Sequence, residues 1–128
     1  MAQRLPPELE TKLADYQRLQ AQLNAIIRER TSIETEISEI DRILQVVEEQ
    51  KENVDLYRIV GNVLLKVDKE KLVNELKDRR EMLQFKLQKL KKQEELLRKR
   101  LEAVLEEIRK LQARLQGVKG FEAKGGAG

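Results

Sequence analysis

The sequence predicts a mainly α-helical chain, folded as a long antiparallel coiled-coil helical hairpin with one central β-hairpin. Three observations lead to this fold class. Apolar residues recur every seven positions over two long segments, as they do in coiled coils. A short segment rich in β-branched residues lies between them and is divided by Gly61 and Asn62. Finally, 38% of residues are charged and only 3% are aromatic, which is typical of long helices.

The first helix is predicted over residues 7–53. Proline suits the first helical turn, where Pro6 and Pro7 stand, and the acidic Glu8 and Glu10 that follow complement the helix dipole. Apolar residues then occupy two columns at the a/d spacing, with Arg30 as an interruption of the first. The columns are Leu9, Tyr16, Leu23, Ile37 and Leu44, and Leu19, Ile26, Ile33, Ile40 and Val47.

The second helix is predicted over residues 69–117, with Asp68 as its N-cap. Its columns are Leu76, Leu83, Leu90, Leu97, Val104, Leu111 and Val118, and Val73, Leu87, Leu101, Ile108 and Leu115. Arg80 and Glu94 interrupt the second of these columns. Residues 117–128 hold five of the six glycines, so we expect a disordered tail over 118–128. The whole chain, 1–128, is predicted to be a single domain.

Residues 54–67 predict the β-hairpin. Two aliphatic runs flank Gly61 and Asn62, and a glycine in the first turn position followed by asparagine favours a type II′ turn. The pairing across this turn places Ile59 beside Leu64 on one face. On the other face it places Val60 beside Val63.

The helical columns contain an internal test of how the chain folds back. If it reverses at Gly61 and Asn62, the facing residues of one column have numbers that add up to 123, and those of the other to 124. The pairs are Leu19 with Val104, Ile26 with Leu97, Ile33 with Leu90, Ile40 with Leu83, Val47 with Leu76, Leu9 with Leu115, Tyr16 with Ile108, Leu23 with Leu101, and Ile37 with Leu87. The same rule sets Arg30 against Glu94, so we expect an oppositely charged layer that fixes the coil register. It sets Arg80 opposite Leu44, which gives this arginine no partner.

The hairpin is predicted to be an assembly element. A lone two-stranded hairpin is marginal in water, and both faces of this one are apolar. Pairing with hairpins of other chains in an oligomeric β-barrel would cover the faces and the strand edges. The predicted oligomerisation residues are Leu56, Tyr57, Ile59, Val60, Val63, Leu64, Leu65 and Val67.

The opposite ends of the two helices carry a second apolar group. In a thin two-helix coil the end residues are poorly covered, so they are candidates for binding non-native polypeptides. The candidates are Leu5, Leu9, Leu13, Leu111, Leu115 and Val118. The alternative is that these are ordinary coiled-coil residues that happen to end there.

The sequence lacks residues that several classes of enzyme and metal-binding protein need. There is no Cys or His, and Gly61–Lys66 lacks the second glycine and the Ser/Thr of a phosphate-binding loop. We therefore expect a protein that is not an enzyme and uses no metal or other cofactor. The longest apolar runs are too short for a membrane span, so we expect a cytoplasmic protein.

The charge distribution raises nucleic-acid binding as a rival function. Residues 8–55 hold 12 acidic and 6 basic residues, whereas residues 86–114 hold 10 basic and 5 acidic ones. Attraction between the two helices explains this asymmetry. We therefore expect no nucleic-acid partner, because such a binder more often has an uncompensated basic face.

The sequence resembles the β-type subunit of the prefoldin family, in an archaeal-like form. The resemblance is carried by Pro6-Pro7, by residues 56–67 (LYRIVGNVLLKV) and by residues 90–97 (LKKQEELL), with Arg58 where the family usually has lysine. It implies that this chain is a subunit of an ATP-independent holdase. That holdase would be a hexamer of two α-type and four β-type subunits, and it would contain several copies of this chain. Unfolded clients would bind at the coiled-coil tips and pass to a group II chaperonin. The alternative is an oligomeric coiled-coil scaffold that does not bind unfolded clients.

Overall fold

The computed structural model describes the backbone of residues 5–126 and the side chains of residues 5–117. Four elements follow one another: helix α1 (Pro7–Glu48), strand β1 (Leu56–Val60), strand β2 (Val63–Val67) and helix α2 (Lys69–Gly126). The two strands form one antiparallel sheet. The predicted fold class of two long helices with one β-hairpin between them is confirmed.

Helix α1 begins where the sequence predicts but ends at Glu48, short of the predicted residue 53. The amide of Glu10 donates to the Pro6 carbonyl (3.0 Å), which closes the first turn. At the other end Glu48 and Glu49 place negative charge beside the negative end of the helix dipole, and the last turn holds no basic residue. The Lys69 ammonium donates to the carbonyl of Gln50 (3.0 Å) just beyond the helix end.

Helix α2 begins at the predicted cap and extends beyond its predicted end. The amide of Lys71 donates to Asp68 Oδ2 (3.1 Å), the geometry of an N-cap. The backbone then stays helical to Gly126, whereas we predicted an end at 117 and a disordered tail over 118–128. A glycine costs only about 1 kcal/mol in a helix interior, and no proline interrupts this segment. Residues 127–128 lie outside the described range.

The chain divides into two compact units. We call residues Met1–Ile27 with Lys92–Gly128 the terminal unit, and residues Arg28–Lys91 the hairpin unit. In the hairpin unit, α1 and α2 bury or half-bury the predicted column residues, and the expected partners Ile40 and Leu83 are only 5% and 3% exposed. The buried residues of this unit are Ile33, Ile40, Leu44, Val47, Leu83 and Leu90.

Ion pairs between α1 and α2 show the antiparallel direction within the hairpin unit. They join Glu29 to Lys86 (3.8 Å), Glu36 to Arg79 (3.0 Å), Asp41 to Arg80 (2.7 Å) and Glu48 to Lys77 (3.7 Å). From Glu29 to Glu48 along α1, the partners on α2 run back from Lys86 to Lys77, so the two helices run in opposite directions. These pairs also explain Arg80, which the columns left without a partner. Exposed pairs of this kind contribute at most about 1 kcal/mol each, so they select the alignment more than they stabilise it.

The terminal unit has its own core. Leu19, Leu23 and Leu101 form a buried cluster, and four half-covered residues pack against it. These four are Tyr16, Ile27, Leu97 and Val104. The predicted partners Leu19 and Val104, and Leu23 and Leu101, therefore meet in one cluster. Nearby, Glu107 accepts a hydrogen bond from Lys12, and this bond raises the lysine's pKa.

Arg30 and Glu94, the two interruptions predicted to lie in one layer, each bond to a neighbour on their own helix. Arg30 Nη1 donates to Glu34 Oε1 (2.7 Å), and Arg98 Nη2 donates to Glu94 Oε1 (2.9 Å). Glu94 is only 9% exposed, so the Arg98 bond compensates part of its desolvation. The proposed role of Arg30 and Glu94 in fixing the coil register stays a prediction.

Truncation of a buried column residue tests this packing. Leu83 is 3% exposed, so Leu83→Ala should lower the free energy of unfolding by about 2 kcal/mol or more. Leu96, on the same helix, is 50% exposed, and Leu96→Ala should cost less than about 1 kcal/mol. Urea unfolding of both variants at one protein concentration measures the difference. Equal losses would contradict the assigned interface.

Candidate functional site

The β-hairpin has the predicted register. Leu56 pairs with Val67, Ile59 with Leu64, and Val60 with Val63. Alternation along a strand directs successive side chains to opposite faces. One face therefore carries Tyr57, Ile59, Leu64 and Lys66, and the other carries Leu56, Arg58, Val60, Val63, Leu65 and Val67. Both faces are largely apolar, as expected.

Gly61 makes the tight reversal possible. Its φ is +61°, in the left-handed region that side chains with a Cβ rarely adopt. Asn62 does not have a positive φ. A type I′ turn needs a positive φ at both central positions, whereas a type II′ turn needs it only at the first. The backbone thus agrees with the predicted type II′ turn.

Most hairpin side chains are uncovered. Ile59 and Leu64, which face each other, are 73% and 64% exposed. All eight predicted oligomerisation residues lie in β1 or β2; Tyr57, Val60, Val63 and Leu65 are also exposed, and Leu56 and Val67 are half-buried. An apolar surface of this kind is typical of a protein interface rather than of a monomer's surface.

Polar side chains tie the base of the hairpin to its surroundings and leave its tip free of such contacts. Arg58 Nη2 lies 3.4 Å from Glu75 Oε2 of α2, and Lys66 Nζ lies 3.3 Å from Asp55 Oδ1. Because the sheet has two strands, each strand has an edge whose alternate N–H and C=O groups have no strand partner. The site can therefore add strands from other chains.

The residues predicted to bind clients differ in exposure. Leu5 is 46% exposed, whereas Leu9 is 3% exposed and belongs to the buried core. Leu13, Leu111 and Leu115 are half-buried. The side chain of Val118 lies outside the described side chains. Of the residues described, Leu5 offers the most accessible apolar surface.

A further set of exposed apolar residues lies on the helices, and the predicted columns do not include it. They lie off the a/d columns and are Ile43, Val46, Met82, Phe85 and Leu96. Their positions outside the columns indicate exposure, since an apolar residue there does not point into the seam with the partner helix. Phe85 is the most exposed of them, at 64%.

The described residues hold no cluster of three or more His, Cys, Asp or Glu side chains arranged to bind a metal ion. In the same part of the chain, no helix is apolar enough over a sufficient length to cross a membrane. The apolar hairpin is therefore the most distinctive candidate site in the described chain.

Comparison with known proteins identifies relatives of this fold. Residues 10–114 match the family model described as prefoldin subunit. The prefoldin subunit beta of Sulfurisphaera tokodaii is 43% identical over 67% of this chain and 69% of its own length. That of Sulfolobus acidocaldarius is 40% identical over the same shares.

Solved structures show the same fold. The crystal structure of the prefoldin beta subunit from Thermococcus strain KS-1 matches with a TM-score of 0.75 and 27% identity. The match covers 86% of this chain and 96% of that one. The beta2 subunit from the same strain has a TM-score of 0.63 at 22% identity, covering 71% of this chain and 97% of its own.

The turn geometry generates a test of the hairpin. Gly61→Ala forces a Cβ into the left-handed region and should destabilise the hairpin by roughly 1–2 kcal/mol. Space is not the cause, because a Cβ at Gly61 would meet nothing within 4 Å. Asn62→Ala is the matched control, since its φ is not positive. Hydrogen exchange of the β1 and β2 amides should accelerate in the Gly61 variant and much less in the control. Equal rates in both variants would contradict this account of the turn.

Proposed function

Because this chain belongs to the prefoldin subunit family, a family of chaperones, we propose that it acts as the β-type subunit of an ATP-independent holdase. It would bind non-native polypeptides and keep them from aggregating. The observation that carries this proposal is the single, exposed, apolar β-hairpin between two long helices. The apolar surface of such a hairpin is buried only when the chain joins other chains.

The proposed assembly contains copies of this chain and an α-type subunit, with two α-type and four β-type chains in a hexamer. Hairpins from neighbouring chains would pair at the open edges of β1 and β2 and close into β-barrels. Burial of Ile59 and Leu64 would contribute most, because they expose the largest fractions of their surface. The chain's single hairpin supports the β-type assignment, since α-type subunits carry two.

Client binding is proposed for the ends of the helices in the terminal unit. Leu5 is exposed, and Leu13, Leu111 and Leu115 are half-covered, so each chain offers a small apolar surface. One such contact is weak. Several chains of one assembly contacting the same client raise the overall affinity through effective concentration. Neither binding nor release requires a catalytic step in this scheme.

Delivery of the client to a group II chaperonin in the cytoplasm completes the proposal. It is supported by membership of the family. Because the proposed holdase acts without ATP, release would need a partner that competes for the client.

A scaffold that assembles without binding clients is the second candidate. It is favoured by the burial of Leu9 at 3% exposure, because this residue serves the coil rather than a client. Suppression of the aggregation of a chemically unfolded test protein separates the two functions. Suppression at near-stoichiometric amounts supports the holdase, and none supports the scaffold.

If the hairpin joins the chains, charged residues on its apolar face should prevent assembly. Ile59→Lys combined with Leu64→Lys places charge on the most exposed apolar pair and should prevent assembly with the α-type subunit. Light scattering should then show dissociated chains that keep their helical circular dichroism. Leu96→Lys, a similar change at an exposed helical leucine, should leave the mass unchanged. A double variant that still assembles fully would refute the role.

If clients bind at the helix ends, removing these ends should abolish holdase activity without preventing assembly. Deletion of Met1–Leu13 together with Leu111–Gly128 should abolish suppression of aggregation and leave the number of chains per assembly unchanged. Because such a deletion also shortens the coil, Leu5→Ser with Leu13→Ser provides a milder variant, expected to weaken suppression several-fold. Leu96→Ser is its matched control. Undiminished suppression by the truncated assembly would contradict the proposed location.

A further inference from the structure

The terminal unit has an apolar hollow beside the seam between its two helices, which we call the Tyr16 hollow. Its floor contains the buried residues Leu23 and Leu101. Its walls contain Ile27 and Leu105, which follow the floor residues by four positions and are half-buried. The volume of about 450 Å³ lies within the range of ligand-binding clefts. The other lining residues are Tyr16, Gln20, Arg98 and Glu102.

Glu102 gives the edge of this hollow a negative charge. It has no ion-pair partner among the side chains of residues 5–117. The sequence explains why: Arg98, four residues earlier, donates to Glu94 instead (2.9 Å). Four residues later comes Glu106, which carries the same charge. Like charges at this spacing repel each other, so a cation from another molecule is favoured beside Glu102.

Tyr16 adds an aromatic ring and a hydroxyl to the lining. The ring is half-buried and packs against the core of the terminal unit. The hydroxyl makes no hydrogen bond within the described part of the chain. A phenol can donate to or accept from the backbone of a bound peptide, and the face of its ring attracts cations. Tyr16 and Glu102 therefore both favour a ligand that carries positive charge next to an apolar group.

We propose that the Tyr16 hollow binds a segment of a non-native polypeptide in which a large apolar side chain adjoins lysine or arginine. The apolar side chain would pack between Ile27 and Leu105, and the neighbouring cation would pair with Glu102. This inference rests on the proposed holdase function and adds a preferred client sequence to it.

The contact in one hollow is weak, because an ion pair at an exposed carboxylate contributes at most about 1 kcal/mol. The hollow therefore supplements the contacts at the helix ends rather than replacing them. Its effect grows when several chains of one assembly bind the same client.

Peptide binding to the full-length chain in complex with the α-type subunit tests the charge preference. Three dye-labelled, unstructured peptides of equal length would share one phenylalanine and differ only in whether lysine, glutamine or glutamate flanks it. Fluorescence anisotropy should give a dissociation constant several-fold lower for the lysine peptide than for the glutamate peptide. Glu102→Lys should reverse this order, because the charge at the edge of the hollow is then positive. Glu39→Lys makes the same change at an exposed glutamate of the hairpin unit and should preserve the order.

The outcomes separate this inference from the proposed function. Equal binding of the three peptides, unchanged by Glu102→Lys, would overturn the inference and leave the holdase function standing. Binding of none of the peptides would also overturn it. Suppression of aggregation by the same preparation then shows whether the holdase function fails with it.

Disulfide formation locates the bound peptide, since the sequence contains no cysteine. Gln20 lines the hollow, so Gln20→Cys should form a mixed disulfide with a lysine-flanked peptide that carries one cysteine beside its phenylalanine. Ser38→Cys, at an exposed position outside the hollow, should react several-fold more slowly. Equal rates would overturn the location. A disulfide between two copies of the Gln20→Cys chain, formed in preference to that with the peptide, would overturn the assignment of the occupant.

Discussion

The packing of leucine and isoleucine side chains between α1 and α2 is the interaction on which every other described element depends. Long helices gain little stability from propensity alone in water, and their stability comes mainly from burying one face. In the hairpin unit that burial is centred on residues such as Ile40 and Leu83, and in the terminal unit on Leu23 and Leu101. In a two-helix coil each helix has only one partner helix against which to bury its apolar columns. Ion pairs between the two helices of the hairpin unit then favour a single alignment.

The short connection at Gly61 and Asn62 has a functional consequence. A two-residue reversal forces β1 and β2 to pair with each other, and two strands cannot cover their own faces. The helices reach only the base of the hairpin, through contacts such as Arg58 with Glu75. Ile59 and Leu64 remain exposed as a result. The chain thus folds into a state whose largest remaining gain in hydrophobic burial lies in joining other chains.

Much of this architecture follows from sequence patterns, because a seven-residue repeat and a two-residue turn each have few structural solutions. The spacing of the columns predicts that Leu19 faces Val104 and Leu23 faces Leu101, and the terminal core contains all four. The turn residues predict the strand register correctly down to Ile59 and Leu64.

The remaining features depend on energies that no repeat encodes. Arg80 lies in an apolar column yet pairs with Asp41, which lies outside the columns, so periodicity alone does not reveal the pair. The end of α1 at Glu48 depends on local charge and capping. The candidate client residues share a place near the helix ends but not their exposure: Leu9 lies in an apolar column and is buried, whereas Leu5 precedes α1 and is exposed.

The central claim is that the exposed hairpin makes this chain one part of a larger assembly. Its most direct test is the mass of the purified protein in solution, measured alone and mixed with an α-type prefoldin subunit. The account predicts that a hexamer with four copies of this chain forms in the mixture and not with this chain alone. A stable monomer or simple dimer under both conditions would contradict it, because the apolar faces of β1 and β2 would then be covered in some other way.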